Sequence, residues 1–452
     1  MGSFIREMIP GILFAVALLF LGFVAGSLTT LSDTFPSTYV RNAYKAADAL
    51  RLKQAYLADQ YSSNLWEPAR TPQKGVTTHV PGRVQAGLTL YSSGHAPTAL
   101  LVDMKGQVVH QWTQPFHDIW DDTSPVRDPV PEKQIYFRKA HVLPNGDLLA
   151  VYDGVGDTPW GYGMVKVDRN SKLIWKNLAN IHHDFAVAED GRIYTLTHEF
   201  RAKPVPGQRH LKPPLLEDFL AVISPDGEIE KKISLLEALR NSPYGRDLWR
   251  IFHFTLWDPL HSNSVDVLDE QSAAALSAKV PVAAPGQVLV GFRELDGGTI
   301  ALLDLDREAI VWALSGAWKS QHDPDILPNG NILMFDNLGD FSPGGESRVV
   351  EVDPSHGGIV WSYNGTADRK LRSYWRAAQQ PLPNGNVLIT ESQGARLVEV
   401  DRNGEVVWEY MNPVRGRQRP SEVAIVSWGS RIDPETLEGD FRDMILRASP
   451  ST

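Results

Sequence analysis

One pattern recurs six times along the chain, and it constrains the fold more than any other feature. Alternating hydrophobics lead into Asp and a tight turn, followed by β-branched residues and, in most copies, Trp. The copies are LLVDMKGQVVHQW from Leu100, VKVDRNSKLIW from Val165, LAVISPDGEIEKKI from Leu220, LLDLDREAIVW from Leu302, VEVDPSHGGIVW from Val350 and LVEVDRNGEVVW from Leu397. Alternation on both sides of a turn predicts a hairpin with one buried face. A second motif alternates with the first: LPNGDLLAV from Leu143, AEDGRIYTL from Ala188, the looser APGQVLVGF from Ala284, LPNGNILMF from Leu327 and LPNGNVLIT from Leu382. Each unit therefore offers four strands. The positions Asp306, Asp353 and Asp401 are 47 and 48 residues apart, close to the length of a propeller blade. Longer gaps, at Ala202–Pro214 and around Leu235–Leu256, read as insertions. A parallel β-helix is the rival architecture, but its repeats are shorter and lack such hairpins.

The expected fold is thus all-β, a six-bladed β-propeller, and 13 Trp, 36 Gly and 31 Pro suit many short strands and turns. Ahead of it, Met8–Leu28 is 21 residues without a charge, enough to cross a membrane as one helix. A cleavable signal is the alternative, with small residues at Val24, Ala25 and Gly26; the length of the apolar run favours an uncleaved anchor. Residues 37–62 read as a helical stalk with Val40, Ala43, Ala47, Leu50 and Leu57 on one stripe. The expected organisation is an anchor over 1–35, stalk and linker over 36–85, the propeller over 86–430 and a tail over 431–452. A net charge of -10 argues against a nucleic-acid partner. With no cysteine there is no thiolate nucleophile, disulfide or cysteine-held metal.

Candidate chemistry emerges when the inner-strand motifs are aligned on their turn glycines. His183 lies eight residues before Gly191 and His322 eight before Gly330, and both precede Asp. His261 opens the corresponding strand in the unit between them, and Arg293 follows the strand VLVGF. Equivalent positions in a propeller converge on the central channel, so three imidazoles and a guanidinium are expected at one mouth. Any one histidine alone reads more readily as a turn-fixing residue; the set does not. Three His are able to hold zinc, but Arg293 disfavours a bare cation there, and no metal site or cofactor is assigned. An Arg and His cluster suits an oxyanion such as sulfate or phosphate.

On these residues the chain resembles the bacterial arylsulfotransferases, the PAPS-independent aryl-sulfate sulfotransferases. The resemblance covers about residues 86–412 and rests on GLTLYSSGHAPTALLVDMKGQVVHQW from Gly87, HHDF at His182, HSNSV at His261, Arg293 and QHDPDILPNGNILMFDN at Gln321. It implies that His322 takes the sulfuryl group from an aryl sulfate as a sulfohistidine. It further implies that His183, His261 and Arg293 hold the sulfuryl oxygens, and that a phenol then accepts the group in a ping-pong cycle. Asn263 and His182 are expected to contact substrate; Asp323 either orients His322 or ends a turn. Trp160, Tyr162, Trp318, Tyr374 and Trp375 are aromatic residues with equal claims to substrate contact and to packing between blades.

The resemblance implies aryl sulfates and phenols as small-molecule partners, and together with the apolar segment it implies a bacterial inner-membrane protein with its propeller in the periplasm or outside the cell, although Arg6 on one side and Arg41 and Lys45 on the other leave the orientation unread from charge. Better-known members of the family carry an N-terminal β-sandwich that helps pair subunits and often a disulfide; this chain reads as an anchor and a helix in place of the sandwich and has no cysteine, and its oligomeric state stays open. The context GFREL is looser than the family's S-S-R-H. Two other functions compete: a non-catalytic anchored scaffold in an envelope or polysaccharide-export assembly, and a quinoprotein dehydrogenase, whose blades share the D-x-x-G-x-x-x-W pattern.

Overall fold

Each Asp-turn-Trp repeat folds as the two outer strands of an antiparallel sheet, and each of the alternating motifs turns between the two inner ones. Both turns need left-handed backbone. Gly146, Gly191, Gly286, Gly330 and Gly385 supply it in the inner turns with φ of 75–91°. The Asp carboxylate shapes the outer turn by accepting backbone N–H groups, as Asp401 does from Asn403 and Glu405, both at 2.9 Å. In the fourth copy the residue doing this is Asp304, not Asp306, so the equivalent spacings are 49 and 48 residues.

The computed structural model describes residues 2–32, 35–36, 39–40, 43, 64–157, 161–251 and 255–448, in two units, 1–59 and 60–452. The first contains the helix Gly2–Ser32, whose stretch Pro10–Thr29 is long and apolar enough to cross a membrane. The stalk expected over 37–62 falls, apart from isolated positions, outside the described residues, as does Trp160.

The second unit is the expected six-bladed propeller. From the channel outward, the first blade is Val426–Ile432, Leu88–Ser93, Thr98–Val102 and Val108–Thr113; the second is Ile135–Val142, Leu148–Gly154, Gly161–Val167 and Leu173–Asn177. The third is Ile181–Val187, Ile193–Arg201, Leu215–Ile223 and Ile229–Ser234; the fourth is Ser262–Val267, Val288–Phe292, Thr299–Asp304 and Ala309–Ser315. The fifth is His322–Ile326, Ile332–Asp336, Arg348–Asp353 and Gly358–Tyr363; the sixth is Ala378–Pro381, Val387–Glu391, Arg396–Val400 and Val406–Met411. Inner strands touch inner strands all the way round. The ring closes because a C-terminal strand completes the first blade, and Gly75–His79, from the expected linker, adds a fifth strand to the sixth.

The Trp residues of the repeat join blade to blade. Trp112 Nε1 donates to the Gly146 carbonyl at 3.0 Å, Trp175 to Pro225 at 3.0 Å, Trp361 to Arg402 at 2.9 Å and Trp408 to Met104 at 3.1 Å, each reaching a turn of the next blade. Trp112→Phe is expected to lower stability by about 1–3 kcal/mol, because it strands that carbonyl and leaves space in the core. Denaturant unfolding of the purified domain measures the loss.

Apart from the helix Glu270–Ser277, inserted after Ser262–Val267, the long connections lie on the face where the inner strands begin. That face carries the candidate site.

Candidate active site

Inner strands do not run straight into the channel mouth. Their ladders slip between Phe137 and Lys139, His182 and Phe185, Ser262 and Ser264, His322 and Asp325, and Val426 and Trp428. Such bulges re-aim side chains at the ends of strands. Here they put non-glycine residues in left-handed backbone, His183 at φ 59° and Asp323 at 56°, and His261, just ahead of its strand, takes the same conformation at 46°. Each costs about 1–2 kcal/mol relative to an extended residue. The third blade's bulge holds one residue more than the fifth's. Counting from the turns equates His183 with His322, whereas the ladder sets His182 opposite Leu196 as it sets His322 opposite Phe335.

His322 is buried, and its chemistry is fixed by Asn337. The Asn337 Nδ2 donates to the carbonyls of Ser373 (2.7 Å) and Arg376 (3.1 Å), so its oxygen must face the imidazole. His322 Nδ1 therefore carries the proton and donates to Asn337 Oδ1 at 2.7 Å, with the Ser320 carbonyl at 3.2 Å. Nε2 keeps its lone pair and has no hydrogen-bond partner among the described residues. Burial, then the charges of Arg138 and Arg293, hold His322 well below the ordinary pKa of 6.5. The group is a neutral imidazole with a bare Nε2 at pH 7.

The other expected residues surround it. The rings of His183 and His261 meet edge to face at 5.2 Å, and both lie within electrostatic range of His322. His183 is held well below pH 6.5 by burial and then by His182 and His261. His261 Nδ1 faces Asp258 Oδ2 at 2.5 Å. Arg293 is tied to that histidine through its backbone N–H, 3.3 Å from the His261 carbonyl. Its Nη1 meets Glu294 at 3.0 Å, its Cζ lies 5.8 Å from the Trp375 ring, and its Nε is buried with no partner among the described residues.

Two expected contacts are committed elsewhere. Asn263 gives its Nδ2 to the Gln321 carbonyl at 2.6 Å, bracing the strand that carries His322. His182 stands behind His183, Nδ1 to Nδ1 at 2.7 Å, with its ring stacked on His198. Asp323 does not touch His322: its carboxylate accepts the Gln379 N–H of the next blade at 2.8 Å, as Asp184 accepts that of Val265 at 2.9 Å. These aspartates join inner strands. Tyr162 and Trp318 are buried in the packing, whereas Trp375 is half exposed beside Arg293.

Three residues escaped the sequence reading. Arg138 lies eight residues before Gly146, so the alignment that singled out His183 and His322 also marks it. It is buried, 3.7 Å from Asp153, and its charge bears on both histidines. Asp258, three residues before His261, carries no motif, and Asn337 closes the quoted motif QHDPDILPNGNILMFDN without having been given a role.

The sequence model of the arylsulfotransferase (ASST) family matches residues 139–413. The chain belongs to the arylsulfotransferase family. Membership supports arylsulfotransferase activity in general, and the match takes in every expected site residue while starting one position after Arg138. No curated protein matches the chain. Among solved structures, a protein of unknown function from Bacteroides caccae is similar at 14% identity and a TM-score of 0.46, over 75% of this chain and 99% of that one. A streptogramin B lyase (10% identity, TM-score 0.37) is matched over 77% of this chain and 87% of its own, and the Dos1 propeller (12%, 0.36) over 76% and 78%.

Proposed function

We propose that this arylsulfotransferase moves a sulfuryl group from an aryl sulfate to a phenol through a sulfohistidine at His322, without PAPS. The observation that carries the reading is the pairing of a bare, buried His322 Nε2 with the unpartnered Nε–H of Arg293. Buried polar atoms left without partners call for a ligand, and this pair offers a nucleophile and an oxyanion donor.

His322 Nε2 attacks sulfur as the bond from sulfur to the aryl oxygen breaks. Arg293, His183 and Arg138 donate to, or lie in the field of, the three sulfuryl oxygens, where negative charge is concentrated. His261, oriented by Asp258, gives a proton at Nε2 to the leaving phenol oxygen and recovers one from the acceptor phenol before the N–S bond breaks. His182 and Asn263 act one layer back, on His183 and on the His322 strand. Trp375 offers a face to the aryl ring.

Charge favours entrance of the anionic donor from the looped face. The opposite end of the channel opens into a cavity of about 640 Å³ lined by Asp184, Asp266, Asp323 and Asp325, with Lys139 as the nearby cation. Burial raises Asp266 to about 6 and Asp323 to about 7, with Lys139 opposing the rise and the neighbouring carboxylates adding to it. The stretch Pro10–Thr29 supports single-pass retention at a membrane, which we take to be a bacterial inner membrane with the propeller outside it.

The test is to mix the purified protein with a chromogenic aryl sulfate and an acceptor phenol. Phenol release and a sulfuryl adduct on His322 by mass spectrometry are expected. Folded protein that gives neither across several aryl sulfates would leave the scaffold reading in its place. Because His322 is neutral well below pH 6.5, the acid limb of kcat/KM is expected well below pH 6.5.

Asn337→Leu is expected to cost about 10²-fold in kcat by freeing the tautomer and tilt of His322. Asn337→Asp keeps the acceptor but adds a charge that favours imidazolium, so its acid limb moves to higher pH. A pH profile of each variant separates this positioning role from a loss of fold.

A further inference from the structure

The third blade holds a second cluster, with chemistry distinct from sulfuryl transfer. We infer that His182, His198 and Asp218 form a site for a zinc-class divalent metal directly behind His183. His198 and Asp218 are opposed partners on neighbouring strands, and His182 reaches them from the inner strand of the same sheet. All three are buried, at 1%, 2% and 4% exposure, and their ligating atoms lie within 4.8 Å of one another.

His182 Nε2 is 3.7 Å from Asp218 Oδ1, beyond hydrogen-bond reach, and has no hydrogen-bond partner among the described residues. The second oxygen of Asp218 is fixed by the Ser262 N–H at 2.7 Å. Among the described residues His182 is the basic group within ion-pair distance of this carboxylate. A cation would supply what both lack. Two imidazole nitrogens and one carboxylate suit zinc and its first-row neighbours, not magnesium or calcium. A tetrahedral zinc ion sets its ligands roughly 3.3 Å apart, so the cluster closes by about 0.4 Å along the His182–Asp218 edge and by up to about 1.5 Å along the others.

Ligation has a consequence for the neighbouring histidine. A metal on His182 Nε2 leaves Nδ1 as its N–H, which donates to His183 Nδ1 at 2.7 Å and puts the His183 proton on Nε2. His183 then presents an N–H to the sulfuryl oxygens. That consequence rests on the proposed reaction; the metal site itself does not.

The experiment strips the untagged full-length protein with a chelator and titrates it with zinc by calorimetry, followed by a melting curve. One zinc per chain, a higher melting temperature and loss of both in His198→Ala and Asp218→Asn are expected. His198→Phe retains the stack on His182, so it carries the test if the other variants fail to fold. Folded protein that takes up no stoichiometric zinc, or variants that bind as the parent does, would overturn the site. Zinc uptake without sulfuryl transfer would support the site and count against the reaction.

Discussion

Replacing His322 with alanine is expected to remove phenol release and the covalent adduct together, by roughly 10⁴-fold or more in kcat. The size follows from what the side chain alone supplies. Its Nε2 is held as a lone pair by a residue that is itself fixed, through Asn337 and the carbonyls of Ser373 and Arg376. The fold should survive, because the lost contacts are those to Asn337 Oδ1 and Ser320, at a cost of about 1–3 kcal/mol. The blade-joining bonds of Trp112, Trp175, Trp361 and Trp408 are untouched. Circular dichroism and a melt of the variant check that point, and free imidazole added to it should restore part of the phenol release. Turnover at the parent rate would remove His322 from the reaction.

The architecture was legible because the repeat encodes blade contacts and not merely strands. Trp at the end of the hairpin is the residue that reaches the next blade, and Asp is the residue that folds the turn. The ends of the ring were not legible. Val426–Ile432 lies in the first blade although it is the last strand along the chain, and no local signal pairs it with Leu88–Ser93. Gly75–His79 adds to the sixth blade through a long-range ladder of the same kind. Within a blade, counting from the turn glycine located the mouth but not the side chains facing it, since a bulge shifts register without altering composition. That is why the sequence leaves Asp323 between orienting His322 and ending a turn, whereas both aspartates of the H-D motif join neighbouring inner strands. The residue that orients His322 lies just past the end of the next strand of its own sheet, fifteen positions on, at a spacing no helix or strand period predicts.

Loss of the guanidinium at position 293 should leave binding less affected than chemistry. Arg293→Met is expected to lower kcat by about 10²–10³-fold, the usual cost of one oxyanion donor, with a smaller rise in KM. The buried Nε has no partner among the described residues to hold it back, and Trp375 and Glu294 keep the side chain in place. Arg293→Lys restores a point charge but not the planar fork, so partial recovery is expected. A second readout distinguishes this role from simple packing. After burial, Arg293 is, with Arg138 and His261, one of the charges that depress the His322 pKa. Removing it makes the imidazolium less unfavourable, raises that pKa and moves the acid limb of kcat/KM to higher pH in Arg293→Met but not in Arg293→Lys. A side chain that merely filled space would lower activity without moving that limb, so the pair of pH profiles decides whether the arginine acts on the nucleophile as well as on the sulfuryl oxygens.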